Sequence, residues 1–218
     1  MPKTLFDMSD NVDASRLEIG FCKESPLALQ SRKKSLLLWQ NCFDKLVRER
    51  SMSRCSPVES IAELIRLNFD TINPKSRTDR GSIFEFCVLD GLFRAGVDEA
   101  RIMTQESVAT GVNVDLCVRP TCCGGKTFFV PCKTSCRERW KQWGFEASVI
   151  KHYSGRKYSP YRIVGIFYSE DNTNPKPNIS LAIKHQEKWR EQCIFVDEVI
   201  TVLDTVRMGQ FLREVSSQ

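Results

Sequence analysis

Histidine is nearly absent: the chain holds two, His152 and His185, in 218 residues. That scarcity argues against histidine general acid–base catalysis and against a His-rich metal site, and it shifts attention to carboxylates and lysine. No apolar run approaches the ~20 residues that span a bilayer, and the opening MPKTLFDMSDNVD lacks the apolar stretch of a signal peptide. The chain is therefore expected to be soluble, with no membrane partner, and not secreted. No tandem repeat is present, which excludes a solenoid. There is no C-x-x-C pair among the ten cysteines, and without an export signal reduced thiols are expected rather than a disulfide scaffold.

What is present is the composition of a folded globular protein, with 41% hydrophobic, 27% charged and 10% aromatic residues. One domain is expected over 1–218: residues 1–75 form a mostly helical part that contacts DNA or a second subunit, and 76–218 form the core. The net charge of +5 points toward a polyanionic partner. Residues 27 to 50 read as a helix carrying Trp39 and Phe43, and a second helix starts near Pro57. Asn73 to Gly81 is a polar, basic loop with breaker chemistry. Ser82-Ile83-Phe84-Glu85 has the form of a capping box that starts an apolar helix ending near Gly96.

Val112 to Val118 alternates with period two, a strand with Asp115 on the face opposite the valines. Thr127 to Lys133 is a second strand. A hairpin centred on Gly124 places residues whose numbers sum to about 248 opposite one another, making Asp115 and Lys133 cross-strand neighbours. Ser135 to Glu138 offers another capping box, before a helix with Trp140, Trp143, Ala147 and Ile150. Then follow a strand at 162–168, a helix near 182–192, a strand at 194–202 and a terminal helix. This mixture is α/β, a central sheet flanked by helices.

A carboxylate and a lysine converging at one end of a hairpin, with an acidic helix nearby, suit phosphodiester hydrolysis. Carboxylates hold Mg²⁺ through oxygen, and lysine stabilises charge or positions water. An ordinary surface ion pair is the competing account. The segments Arg80-Gly81-x-x-Phe84-Glu85, Val114-Asp115 and Cys132-Lys133-Thr134-Ser135-x-Arg137-Glu138-Arg139-Trp140 together resemble type II restriction endonucleases of the PD-(D/E)XK superfamily. Within it they resemble the CCGG-recognising branch, of EcoRII and NgoMIV type, in which the second acidic residue is displaced to thirteen positions after the lysine. Here Pro131 stands at the usual acidic position, and Glu146 stands thirteen after Lys133.

The resemblance implies a restriction-endonuclease-like mixed sheet flanked by helices and a Mg²⁺-dependent catalytic set of Asp115, Lys133, Glu146 and Glu85, with Asp115 and Glu146 as metal ligands. Glu85 has a competing role as a helix cap. Glu146 has a geometric difficulty, since a straight helix from Ser135 would put it about 16 Å from the helix start. Arg137, Glu138 and Arg139 would read C·G pairs in the major groove, because arginine binds guanine bidentately and glutamate accepts from cytosine N4. Two arginines in a first helical turn oppose the macrodipole, so local stability does not call for them.

Lys75, Arg77 and Arg80 are candidate phosphate contacts, and Trp39 or Phe43 a candidate platform for a flipped base. The implied partners are double-stranded DNA, a second copy of the chain in a homodimer, and a cognate DNA methyltransferase; the implied location is a prokaryotic cytoplasm. Two alternatives remain at this point. One is a structure-specific repair or recombination nuclease of the same fold. The other is a non-catalytic DNA-binding module holding zinc through Cys117, Cys122, Cys123, Cys132 and Cys136.

Overall fold

The computed structural model describes residues 77–109, 112–135, 140–154, 160–169 and 178–218. Trp39, Phe43, Lys75, Arg137, Glu138 and Arg139 lie outside them, as does the side chain of Arg77. Helix α1 (Arg77–Arg94) is followed by strands β1 (Ile102–Ala109), β2 (Val112–Val118), β3 (Thr127–Val130) and β4 (Cys132–Ser135). Helix α2 (Trp140–Val149), strand β5 (Tyr161–Ser169), helix α3 (Ile179–Gln192), strand β6 (Glu198–Thr201) and helix α4 (Thr205–Ser216) complete the order.

The first expectation to fail concerns the start of α1. The described helix runs from Arg77 and is already under way at Ser82 and Glu85, so the S-x-x-E pattern is not a cap and Arg77 to Gly81 are helix rather than the expected loop. A run free of proline and crowded with apolar residues carries the helix through Phe84, Cys87, Val88 and Leu92, all buried. It ends where expected. Gly96 takes φ +89°, and the bonds from Gly96 N–H to Phe93 O and from Val97 N–H to Leu92 O close a Schellman turn.

The strands form one mixed sheet. β1 and β2 pair antiparallel, as do β2 and β3, while β3, β4 and β6 all run parallel to β5. The strand expected over Thr127 to Lys133 exists as β3 and β4, which follow β5 in one register across Pro131, from Thr127↔Tyr161 to Ser135↔Ser169. Its pairing with β2 corrects the expected hairpin. The partners are Leu116↔Val130, Cys117↔Phe129 and Val118↔Phe128. That register is two residues short of the predicted one, so Asp115 falls level with Pro131 rather than Lys133.

Two apolar layers cover the sheet. On one face Leu116, Val118, Phe128, Val130, Cys132, Val164 and Ile166 pack against α1 and α4 through Phe84, Leu92, Phe211 and Leu212. On the other, Val114, Cys117, Phe129, Ile163 and Phe167 pack against α2 and α3 through Trp143, Ala147 and Trp189. The period-two reading of β2 therefore fails at one point: Val114 and Val118 belong to opposite layers. The phase slips at Asp115. Opposite it on β1, Gln105 has φ 51°, between the pairs Thr104↔Leu116 and Glu106↔Val114. A Cβ at Gly165 would lie 3.3 Å from the Trp143 ring, a tight contact; the bare backbone lets α2 settle close on the sheet. No helix among the described residues is long and apolar enough to cross a membrane.

Candidate active site

The site lies where β2 parts from β4. The ladder between β2 and β3 ends at Leu116↔Val130, while Pro131 turns its carbonyl the other way and accepts from Ile166 N–H of β5. The next donor, Cys132 N–H, is taken by the Asp115 side chain, Oδ2 accepting at 2.7 Å. Asp115 thus replaces a strand in satisfying buried backbone. The same oxygen accepts from Lys133 Nζ at 2.9 Å, and Lys133 Nζ lies 3.9 Å from Glu146 Oε1.

Glu146, on α2, reaches the site, its carboxylate within ion-pair distance of Lys133 on β4. It lies six residues, about 9 Å of helical rise, beyond Trp140. Gln142, one turn earlier, donates to Glu146 Oε1 at 2.7 Å and fixes it. On the opposite face, α1 supplies Glu85. Its Oε2 accepts from Gln105 Nε2 at 3.2 Å, and the same nitrogen donates to Asp115 Oδ1 at 3.3 Å.

All four sequence-predicted catalytic residues are thus gathered in one place, each between 6% and 9% exposed. Burial works against a charged Lys133, but Asp115, Glu146 and Glu85 outweigh it and hold the ammonium above its ordinary value. Lys133 is a fixed positive charge at neutral pH. Neighbouring Cys132 is pushed well above the ordinary thiol value by burial and by Asp115 and Glu85, so it stays protonated. Cys132 and Cys117 belong to opposite layers of the sheet, and Cys122 and Cys123 are exposed in the turn between β2 and β3. Cys117 and Cys132 therefore cannot share a zinc ion. Cys136 is outside the described residues.

Among the described residues no three His, Cys, Asp or Glu side chains form a ready-made cation cage. Mg²⁺ does not require one, since it keeps several waters and binds through one or two carboxylates together with substrate phosphate. Asp115 and Glu85, converging on one amide nitrogen, offer the hard oxygen donors such an ion takes, so the residues fit it.

Sequence reasoning missed Gln105 and Gln142. The second had a legible signal, a Gln four residues before a Glu on a helix face. The first had none, because β1 itself was not foreseen. Arg80 was expected in a loop and lies half-buried near the start of α1, on the helix that carries Glu85.

No protein-family model matches the chain, and no curated protein matches it. A solved structure does: a complex of the restriction endonuclease PspGI with substrate DNA, at a TM-score of 0.50 and 13% identity, over 83% of this chain and 93% of that one. The fold is that of a restriction endonuclease. An α/β sheet of mixed direction with helices on both faces was the architecture expected from the sequence.

Proposed function

We infer that this chain is a type II restriction endonuclease, hydrolysing both strands of duplex DNA with Mg²⁺ at a palindrome-like site containing CC and GG. One observation carries the reading: Asp115, Lys133, Glu146 and Glu85 are buried together at the point where β2 and β4 diverge, on a restriction-endonuclease fold. A surface ion pair would not be buried, nor draw carboxylates from α1, α2 and β2. The neighbour's complex with substrate DNA supports this reading over a repair nuclease. The opposite placement of Cys117 and Cys132 counts against a zinc module.

The chain's own contribution follows from geometry. Lys133, charged and held at 2.9 Å by Asp115, stabilises negative charge growing on a phosphate and orients the attacking water. Asp115 fixes that ammonium with one oxygen and keeps the other toward Glu85, while Glu146 bounds the far side. Asp115, with Glu146 or Glu85, would hold Mg²⁺, which when bound neutralises phosphate charge and makes water a stronger nucleophile at neutral pH. Arg137, Glu138 and Arg139 lie four to six residues after Lys133 and read the CC/GG base edges, with Lys75, Arg77 and Arg80 on phosphates and Trp39 or Phe43 beneath a flipped base. A homodimer matches the twofold symmetry of such a site, and a methyltransferase of the same specificity protects host DNA in a prokaryotic cytoplasm.

The test is plasmid cleavage by the wild-type chain and by Asp115→Ala, in Mg²⁺ and in EDTA. The reading expects linear fragments only from wild type with Mg²⁺. Equal cutting by Asp115→Ala would remove it.

A further inference from the structure

Gln105 combines two features that local stability does not explain. It is the one non-glycine residue with a positive φ among those described, at 51°, a conformation that long side chains rarely adopt. It also lies level with Asp115 in the antiparallel pairing of β1 with β2, between Thr104↔Leu116 and Glu106↔Val114. The unusual backbone aims its amide at a point between two carboxylates from different elements, Glu85 of α1 and Asp115 of β2.

We propose that Gln105 is a latch: its amide nitrogen occupies the divalent-cation position between Glu85 and Asp115 and keeps the pair together until a cation displaces it. The proposal rests on the nuclease reading given above. The two N–H groups of one amide fork satisfy both carboxylates, yet at 3.2 and 3.3 Å each bond is longer than the usual 2.9–3.0 Å. A neutral donor relieves two neighbouring carboxylates only in part, whereas a divalent ion neutralises both. Asp115 Oδ2 is committed to Lys133 and to Cys132 N–H, so Oδ1, the oxygen that faces Gln105, is the one left to meet a cation. Loading the site therefore means moving the Gln105 side chain.

The experiment is Mn²⁺ titration of the full chain without DNA, with free Mn²⁺ read by electron paramagnetic resonance. It compares wild type, Gln105→Asn, Gln105→Gly and Asp115→Ala. Asparagine and glycine both accept a positive φ, so the backbone is kept. Asparagine is one methylene too short to span both carboxylates, and glycine has no side chain at all. A lost hydrogen bond to a charged group predicts about tenfold tighter Mn²⁺ binding by both Gln105 variants, with binding lost in Asp115→Ala. Equal or weaker binding by the Gln105 variants, with loss in Asp115→Ala, would overturn the latch and leave the nuclease site standing. Undiminished binding by Asp115→Ala, or no binding by wild type and both Gln105 variants, would overturn both.

Discussion

Lys133 meets Asp115 across a gap in the sheet: their strands, β2 and β4, share no ladder pairing, and the 2.9 Å bond between the side chains spans the place just beyond Leu116↔Val130, where the β2–β3 ladder stops. The separation is what makes a site. Had the ladder continued, Asp115 would be one more half-exposed strand residue, with no backbone N–H to hold and no room for a third carboxylate.

Because the lysine is the positive partner of a buried acidic group, Lys133→Met should abolish cleavage and also destabilise the fold, by about 3 to 5 kcal/mol, through the carboxylates left uncompensated. Asp115→Ala should abolish cleavage at a smaller cost, about 1 to 3 kcal/mol for the orphaned Cys132 N–H, since Lys133 retains Glu146. Urea denaturation beside plasmid cleavage checks both. A Lys133→Met protein as stable as wild type would contradict the buried network.

The same network sets a pH dependence. The folded state raises the Lys133 pKa above its ordinary 10.5, so its stabilising contribution is complete below that value and is lost as pH climbs past it toward the folded value. The stability difference between wild type and Lys133→Met should be flat from neutral pH to about pH 10 and shrink above it. Denaturation midpoints at stepped alkaline pH measure this. A difference that shrinks between pH 7 and 9 would mean that Lys133 titrates there.

Glu85 distinguishes chemistry from capping. Residing inside α1 rather than at its start, Glu85→Ala should spare helix stability, where loss of a cap would cost about 0.5 to 2 kcal/mol, yet should reduce cleavage. Circular dichroism melting alongside turnover separates the two. A lowered melting temperature with unchanged cleavage would return Glu85 to a structural role.

Glu146 and Glu138 should differ in kind. Glu146→Ala should bind its duplex nearly normally in Ca²⁺ and scarcely cut it in Mg²⁺. Glu138→Ala should lose discrimination first, at about 1 to 3 kcal/mol per cytosine contact. Gel-shift affinities for cognate and scrambled duplex, with cleavage rates, decide it; the reverse pattern would exchange the two assignments.

The members of this candidate site were legible through the joint spacing of Glu85, Asp115, Lys133 and Glu146 and the resemblance that spacing carries; by residue type alone Asp115 and Lys133 read equally as a surface pair. The α/β plan, a central sheet flanked by helices, was legible from the order of strand-like and helix-like runs. The hairpin register was not. It depends on the geometry of the turn between β2 and β3, which the Gly124-Gly125 pair alone does not specify. The start of α1 was misread because Ser82 and Glu85 satisfy a capping pattern locally, while the buried face extending back to Ser82 and Ile83 belongs to a longer helix. Gln105 lay beyond reach, since a residue aimed by a positive φ leaves no trace in periodicity.

The central claim is sequence-specific, Mg²⁺-dependent cleavage of duplex DNA by the Asp115 and Lys133 site. Its most direct test is digestion of a plasmid of known sequence by the full chain in Mg²⁺, followed by sequencing of the fragment ends. The account predicts that every end falls at one palindrome-like sequence with CC and GG, and that Lys133→Ala leaves the plasmid intact. Ends scattered without a shared sequence, or an intact plasmid with the wild-type protein, would contradict it.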